Sequence, residues 1–180
     1  MQSSAESAAI GTRLAGPGDA AIMSAIHAAC FARSWDEASM AQFIFTPGCI
    51  SLLVSRAEGQ PVQGFLIARR AEDEAELLTL AVHPDFRRLG LARALVQRAM
   101  ATLRRAGAKH LLLEVDEANA PARTLYQALG AVPVGRRPHY YERGADAAIF
   151  SLALSAADAD DGRGVRRPTS RRDGQDSDTG

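Results

Sequence analysis

The sequence predicts a mixed α/β (α+β) domain, because a run of antiparallel strands precedes a strand–helix–strand unit. Three β-type runs over 49–56, 62–70 and 76–82 are separated by short turns, and short connections join antiparallel neighbours. An amphipathic helix pattern then covers 90–105, and an almost fully apolar run covers 110–115. Because a strand–helix–strand unit of this size makes a right-handed crossover, the last run is expected to pair in parallel with the third strand.

A first strand and two helices are predicted before those strands. Residues 10–14 have the pattern of a short strand. Pro17 and Gly18 provide the turn that starts a helix over 17–31, in which apolar residues recur at helical spacing. A shorter helix is predicted over 34–45, and the proline and glycine after it bring it to an end.

The end of the domain is predicted to be a helix over 120–129 and two strands, over 132–135 and 147–154, that form a hairpin across a long loop. Beyond Leu154 the composition shifts to Asp, Arg, Gly and Ser, which cannot bury enough apolar surface to order a segment. Its arginines could contact RNA or an acidic partner, but the aspartates between them favour a solvated tail. The chain is thus divided into a flexible N-terminus over 1–9, one folded domain over 10–154 and a disordered tail over 155–180.

Composition and charge exclude several classes of protein. The chain has 180 residues, enough for one domain with a substantial core. Its 21 basic and 21 acidic residues give a formal net charge of zero, so no global field favours nucleic acid or an anionic membrane. No apolar run approaches the roughly 18–20 residues that span a bilayer, and the first residues lack the pattern of a signal peptide. We expect a cytoplasmic protein without a membrane partner and without direct nucleic-acid binding.

The cysteines do not predict a metal site. Cys30 and Cys49 are the only two, and their spacing fits no metal-ligand motif. In a cytosolic protein, reduced and buried thiols are expected rather than a disulfide.

A phosphate-binding loop is predicted between the third antiparallel strand and the long helix. Pro84 ends the strand and the helix begins near Gly90. The first N–H groups of a helix lack intrahelical partners and carry about half a positive charge, so they can bind a pyrophosphate. Close approach of a phosphate favours Gly90 and the small Ala92, and Arg87 and Arg88 can add charge-assisted bonds. The alternative is a helix that starts with a glycine beside two solvated arginines; the glycines of a dinucleotide fingerprint and the lysine of a P-loop are absent.

A carboxylate and a phenol flank the start of the next helix and could act as an acid/base pair. Glu114 ends the apolar strand, and Asn119, the only asparagine, is a candidate N-cap. Tyr126 then lies about two turns into the helix, roughly 10 Å along its axis. Glu114 could instead pair with a surface arginine, and Tyr126 could be a half-buried core aromatic. Asp116 and Glu76 compete with Glu114 for the role of base.

Taken together, these stretches resemble the GCN5-related N-acetyltransferase (GNAT) superfamily, and within it the ribosomal-protein alanine N-acetyltransferases called RimI. The superfamily signature for acetyl-CoA, Gln/Arg-x-x-Gly-x-Gly/Ala, is met by Arg87, Gly90 and Ala92. The resemblance runs from about residue 10 to residue 154. Its other stretches are 80–86, 113–115, 119–126, 129–130 and 136–141.

The resemblance implies the GNAT fold: a mixed central sheet with antiparallel N-terminal strands, flanking helices, and a parallel strand pair that splays apart at the acetyl-CoA site. It implies acetyl-CoA as the acetyl donor, and as the acceptor a protein N-terminus, that of an alanine in a small-subunit ribosomal protein. Glu114 becomes the proton acceptor and Tyr126 the proton donor to the departing thiolate. The residues implied to contact acetyl-CoA are Leu80, Ala81 and Val82 through their backbone, then Arg87, Arg88, Leu89, Gly90, Leu91, Ala92 and Arg93 around the pyrophosphate, and Asn119 near the pantetheine.

Further expectations concern the acceptor and the oxyanion. The N–H of Val82 is a candidate donor to the oxyanion, and Tyr140 and Tyr141 are implied to line the acceptor groove. A GNAT enzyme acting on a protein lysine or a small-molecule amine remains a second possibility, and a non-catalytic acetyl-CoA-binding module is a third. The intact acid/base pair argues against the module, and the two tyrosines favour a peptide over a small amine. His83 and the loop over 31–35 depart from the RimI pattern, the loop in the region that shapes the acceptor site.

Overall fold

The computed structural model describes residues 9–138 and 146–154, and seven strands of this part form one mixed sheet. The strands are β1 (Gly11–Leu14), β2 (Cys49–Ser55), β3 (Gly64–Ala71), β4 (Glu74–Val82), β5 (His110–Asp116), β6 (Val132–Arg137) and β7 (Ala147–Ala153). The α-helices are α1 (Ala20–Cys30), α2 (Glu37–Phe45), α3 (Leu91–Arg105) and α4 (Ala120–Ala128). Single 3₁₀ turns cover Pro17–Asp19 and Pro84–Phe86.

The strand order confirms the predicted fold class. The strands lie in the order β1-β2-β3-β4-β5-β7-β6. β4 and β5 are parallel, and every other neighbouring pair is antiparallel. The predicted closing hairpin is present, with β7 inserted between β5 and β6. β6 runs two residues beyond its predicted end, as far as Arg137, because Arg136 and Arg137 continue the ladder to β7.

Local capping sets where two of the helices begin. The carboxylate of Asp36 accepts a hydrogen bond from the N–H of Ser39 at 2.8 Å, so α2 starts one residue later, at Glu37. Asn119 caps α4 in the same way, accepting from the N–H of Ala122 at 3.1 Å. This confirms the predicted N-cap.

Each face of the sheet packs against its own pair of helices. Helices α3 and α4 cover one face through a large apolar cluster that includes residues from β2 to β5 and from β7. Helices α1 and α2 cover the other face through a smaller cluster, whose strand residues come from β2, β3 and β4. Within the described residues this second cluster has no member from β5, β6 or β7. On that half of the face the side chains include Glu114 of β5 and Arg137 of β6.

The parallel pair β4–β5 is joined only at its beginning. Its register runs from Glu74 opposite His110 to Glu76 opposite Leu112 and goes no further. On the other side of β4, the register to β3 shifts so that Leu78 is left without a partner, which is a β-bulge. A bulge bends the strand and increases its twist. Beyond Glu76 the two strands separate, and the predicted splayed pair is confirmed.

Some expectations fall outside the described residues: the flexible N-terminus except its last residue, Tyr140 and Tyr141, and the tail over 155–180. Cys30 and Cys49 are free thiols, and both are half-buried rather than buried as predicted. The described part of the chain contains no cluster of His, Cys, Asp or Glu that could hold a metal ion. None of its helices combines the length and apolar character needed to cross a bilayer.

Candidate active site

The gap between β4 and β5 is lined on one side by backbone groups of β4. The N–H of His83 donates to the carbonyl of Gln63 at 2.9 Å, beyond the end of β3. Because hydrogen-bonding direction alternates along an antiparallel strand, Leu80 and Val82 turn their N–H and C=O groups away from β3 and into the gap. Ala81 turns its backbone toward β3, and its methyl group is buried under α1. Two of the three residues predicted to offer backbone groups therefore face the gap.

The carbonyl of Val82 is already bound within the protein. It accepts hydrogen bonds from Nε of Arg87 and from the thiol of Cys30, each at 3.3 Å. A second guanidinium nitrogen of Arg87 lies 3.8 Å from the Cys30 sulfur. Arg87 therefore folds back onto the end of β4 and links the loop to α1. The N–H of Val82, unlike its carbonyl, still points into the gap and can donate there.

The loop before α3 has the shape expected of an anion-binding site. Gly90 is the N-cap of α3 and has φ +79°, a left-handed conformation that favours glycine. A Cβ added there would meet only Ile10 Cδ1, at 3.7 Å, so the backbone conformation explains this glycine better than crowding does. Arg88 also has positive φ, +65°, which an arginine adopts only at a cost. The loop residues Arg87 to Gly90 are exposed, and the first N–H groups of α3 follow directly.

Glu114 carries an arginine partner. Leu113 and Val115 point into the core beneath α3 and α4, so Glu114 between them points to the opposite face of the sheet. Its Oε1 lies 3.1 Å from Nη1 of Arg137, on β6, and the two side chains are 28% and 56% exposed. The structure therefore contains the surface ion pair that was the alternative to a base. A proton can reach Glu114 only if Arg137 leaves or shares the carboxylate.

The two competing carboxylates have partners of their own. Glu76 lies at the closed end of the gap, opposite Leu112, and forms a half-exposed ion pair with Arg69 at 3.0 Å. Its side chain lies on the same face of the sheet as that of Glu114, and the two positions are separated by two residues, or about 7 Å, along the strands. Asp116 accepts the N–H of Ala118 at 2.8 Å and so shapes the turn that leads to α4. Glu114 and Asp116 both lie on β5 beyond Leu112, its last residue paired with β4, so both stand beside the open part of the gap; Asp116 is the one engaged in the turn.

Tyr126 lies on the other face of the sheet. It is 4% exposed and belongs to the large cluster under α3 and α4, so it is more deeply buried than the half-buried core aromatic considered as its alternative. Glu114 and Tyr126 therefore approach the sheet from opposite sides. They can act on one thioester only through the gap that the splayed strands leave. Asn119, at the exposed start of the same helix, uses its side-chain oxygen for the cap.

Three features of the site were not predicted from the sequence: Arg137 as the arginine that pairs with Glu114, the Cys30–Arg87–Val82 contacts and the Leu78 bulge. A signal existed for the bulge only. Leu77 and Leu78 interrupt the alternation of apolar and other residues along β4, and an interrupted alternation is typical of a bulge. The side-chain contacts join residues far apart in the chain, so no local pattern indicates them.

A buried histidine and a partly buried tryptophan hold the loop between α1 and α2. His27 is buried, stacks on Trp35 with ring centroids 4.9 Å apart, and accepts the Trp35 N–H through Nδ1 at 3.1 Å. Burial lowers the pKa of His27, so the neutral ring is favoured. This loop departs from the RimI pattern in sequence, and its tryptophan packs against His27 and Phe43.

Comparison with known proteins gives a family and a fold. Residues 20–131 match the acetyltransferase (GNAT) family. The ribosomal protein bS18-alanine N-acetyltransferase of Escherichia coli K12 is 39% identical over 94 residues, which make up 51% of this chain but only 64% of that relative. The crystal structure of the ribosomal-protein-S18-alanine N-acetyltransferase from Escherichia coli aligns with a TM-score of 0.74 and 29% identity, over 84% of this chain and 97% of that one.

A more distant solved structure shares the architecture. Arabidopsis thaliana NAA60 in complex with acetyl-CoA aligns with a TM-score of 0.70 over 80% of this chain and 98% of that one, at 21% identity. At this identity the likeness concerns the fold alone. The family match covers more than half of the chain and agrees with the splayed strand pair and the glycine-started helix, and the protein accordingly belongs to the GNAT family of acetyltransferases.

Proposed function

We propose that the protein is an acetyl-CoA-dependent N-alpha-acetyltransferase of the cytoplasm, which acetylates the N-terminal alanine of a small-subunit ribosomal protein. Acetyl-CoA is the acetyl donor of the GNAT family. The choice of acceptor is supported by the E. coli relative that carries this activity in its name. The observation that carries the proposal is the open gap between β4 and β5, with Glu114 on one face and Tyr126 on the other.

The residues around the gap fit acetyl-CoA. The first N–H groups of α3, at Leu91, Ala92 and Arg93, would bind the pyrophosphate, and Arg88 and Leu89 would flank it on the exposed loop. The N–H and C=O groups of Leu80 would pair with the amides of the pantetheine, as in the addition of a strand, which leaves the N–H of Val82 for the thioester carbonyl. The side-chain nitrogen of Asn119, whose oxygen is used by the cap, would lie near the same arm. Arg87 would position the loop rather than contact the phosphates.

The acceptor needs a base. An N-terminal amine has a pKa of about 7.7–8.0, so near neutral pH most of it is protonated and cannot attack. Glu114 would take one proton from the ammonium, directly or through water, and later pass it to solvent. The thioester supplies the acetyl group: the amine nitrogen bonds to the carbonyl carbon as the carbon–sulfur bond breaks.

The charge that develops on oxygen and sulfur needs two donors. The Val82 N–H would donate to the carbonyl oxygen as it becomes negative. Tyr126 would give its proton to the departing sulfur, since a phenol with a pKa of about 10 is close in acidity to an alkyl thiol. It would regain a proton from the nitrogen, which must lose its second proton to become the amide. The products are the acetylated N-terminus, free CoA and the proton held by Glu114.

A panel of short peptides tests the proposal. Release of CoA thiol would be measured with peptides that differ only in the first residue, with an N-acetylated peptide as the blank and with a blocked peptide that offers only a lysine. Faster turnover of the peptide that starts with alanine is expected, together with loss of turnover in Glu114→Gln. Turnover confined to lysine side chains or small amines would contradict the proposed acceptor. Binding of acetyl-CoA without turnover on any amine would indicate a non-catalytic module.

A further inference from the structure

We propose that Arg137 occupies, in the acceptor-free enzyme, the position on Glu114 that the acceptor ammonium takes during the reaction, so that acceptor binding exchanges one cation for another. This inference rests on the proposed function, because it assumes that Glu114 receives a proton from a cationic amine. It assigns to Arg137 the role of a positioning residue that sets the threshold for acceptor binding.

The backbone geometry shows that Arg137 reaches Glu114 from a distance. In the sheet, Glu114 lies opposite Ile149 of β7, and Ile149 lies opposite Gly135 of β6. Arg137 is two residues beyond Gly135 and two strands away from β5, which corresponds to about 10 Å between the strand axes. Its side chain must therefore extend across β7 to bring Nη1 within 3.1 Å of the carboxylate. A long, flexible side chain held in this way can withdraw without any movement of the strand.

The neighbouring arginines pair with carboxylates other than Glu114. Arg136, the adjacent arginine on β6, is held by Glu117 at 2.8 Å and by Asp146 at 2.9 Å. Arg69, the arginine of the same face nearest the closed end of the gap, is paired with Glu76. Each of these cations has its own carboxylate. The ion pair made by Arg137 is the one that covers the proposed base.

The pair is of the kind that a ligand can replace. Ion pairs between partly exposed side chains in water contribute little, because the charges are well solvated and the side chains lose freedom when they pair. The Arg137 side chain is 56% exposed, so water can take over its charge when it leaves. An ammonium brings the same charge and the same N–H donors to the carboxylate. The acceptor must compete with Arg137 for the carboxylate. This competition raises the KM of the acceptor by the factor that corresponds to the free energy of the weak ion pair.

Substitution of Arg137 tests the exchange by separating KM from kcat. Arg137→Gln is expected to lower the KM of the alanine peptide about two- to fivefold, the range of a weak exposed pair, and to leave the KM of acetyl-CoA unchanged. Arg137→Lys keeps a cation, so its KM for the peptide should stay near the wild-type value. Arg136→Gln removes the same charge from the same strand and should not lower the peptide KM. A peptide KM that is unchanged or raised in Arg137→Gln would overturn the inference.

Free guanidinium gives a second readout. In Arg137→Ala the carboxylate is uncovered, so guanidinium chloride at sub-denaturing concentration should inhibit competitively with the peptide, while sodium chloride at equal ionic strength should not. The same salt should inhibit Arg136→Ala no more than it inhibits the wild type. Inhibition that is not competitive, or equal in both variants, would refute the exchange. Failure of the proposed function has a separate signature: the wild-type enzyme would release no CoA thiol with any peptide.

Discussion

Replacement of Gly90 by alanine tests whether the shape of the loop before α3 is needed for acetyl-CoA. Gly90 has φ +79°, and a left-handed conformation costs a residue with a Cβ about 1–2 kcal/mol. No atom lies closer than 3.7 Å to the added methyl group, so conformational strain is the expected source of the loss. For a chain of this size that loss corresponds to a fall in Tm of roughly 2–8 °C, which thermal unfolding would measure.

Gly107, at the other end of the same helix, provides the matched control. It has φ +95°, and a Cβ added there would meet nothing within 4 Å. Gly107→Ala should therefore lose a similar free energy of unfolding but keep the wild-type KM for acetyl-CoA. Gly90→Ala should raise that KM roughly tenfold or more, because relaxation of the backbone would turn at least one N–H away from the pyrophosphate, and a hydrogen bond to a charged group contributes about 1.5–3 kcal/mol. Equal KM values in the two variants, with equal falls in Tm, would refute the proposed pyrophosphate site.

Three other outcomes are expected. Tyr126→Phe should lower kcat with little change in the KM of acetyl-CoA, because the hydroxyl is proposed to transfer protons during the reaction rather than to bind the cofactor; steady-state thiol release measures both. The thiol of Cys30, which donates to the Val82 carbonyl, should be protected from alkylation by CoA, whereas Cys49, on β2, should not, as mass spectrometry would show. Lowering the pH below about 6.5, the ordinary pKa of histidine, should lower Tm, because the folded state holds His27 neutral while the unfolded chain binds the proton.

Each of these expectations has a result that contradicts it. A wild-type kcat in Tyr126→Phe would remove the acid role. Equal protection of both cysteines would mean that CoA acts on the whole fold rather than at the end of β4. Burial raises the pKa of Cys49, so its alkylation is expected to be slow, and the comparison uses the ratio of rates with and without CoA. For His27 the contribution to stability is complete above the unfolded pKa and is lost as the pH falls toward the lowered folded pKa; an unaltered pH slope in His27→Gln would assign the effect elsewhere.

Most of the fold could be predicted because its signals are local. The apolar periodicity of α3 and the glycine that starts it fixed that helix to within a residue. The short turns between β2, β3 and β4 required antiparallel pairing, and the length of the α3 connection required a parallel β5. The insertion of β7 between β5 and β6 had no such signal. Strand order at that edge depends on which apolar faces pack together, and this is a property of the whole sheet.

The site could be predicted as a set of residues but not as a set of contacts. The family pattern identified Glu114, Asn119 and Tyr126, and of their expected structural roles the N-cap formed by Asn119 is confirmed. The arginine that pairs with Glu114 comes from β6 across an intervening strand, so its distance in sequence carries no information about the contact. Arg87 was predicted at the phosphates, and no sequence pattern indicated that its Nε donates to the Val82 carbonyl. Such choices depend on atomic distances that a motif does not contain.

The opposite placement of Glu114 and Tyr126 has a consequence for how large an acceptor the protein could handle. If the amine enters from the face that carries Glu114 while CoA lies along the gap with its pyrophosphate at the start of α3, the two substrates do not share an entrance. A bulky folded partner could then rest against one side of the sheet with its N-terminus in the gap, while CoA enters and leaves at the α3 end of the gap. Binding and release of CoA would then be independent of the size of the protein being modified.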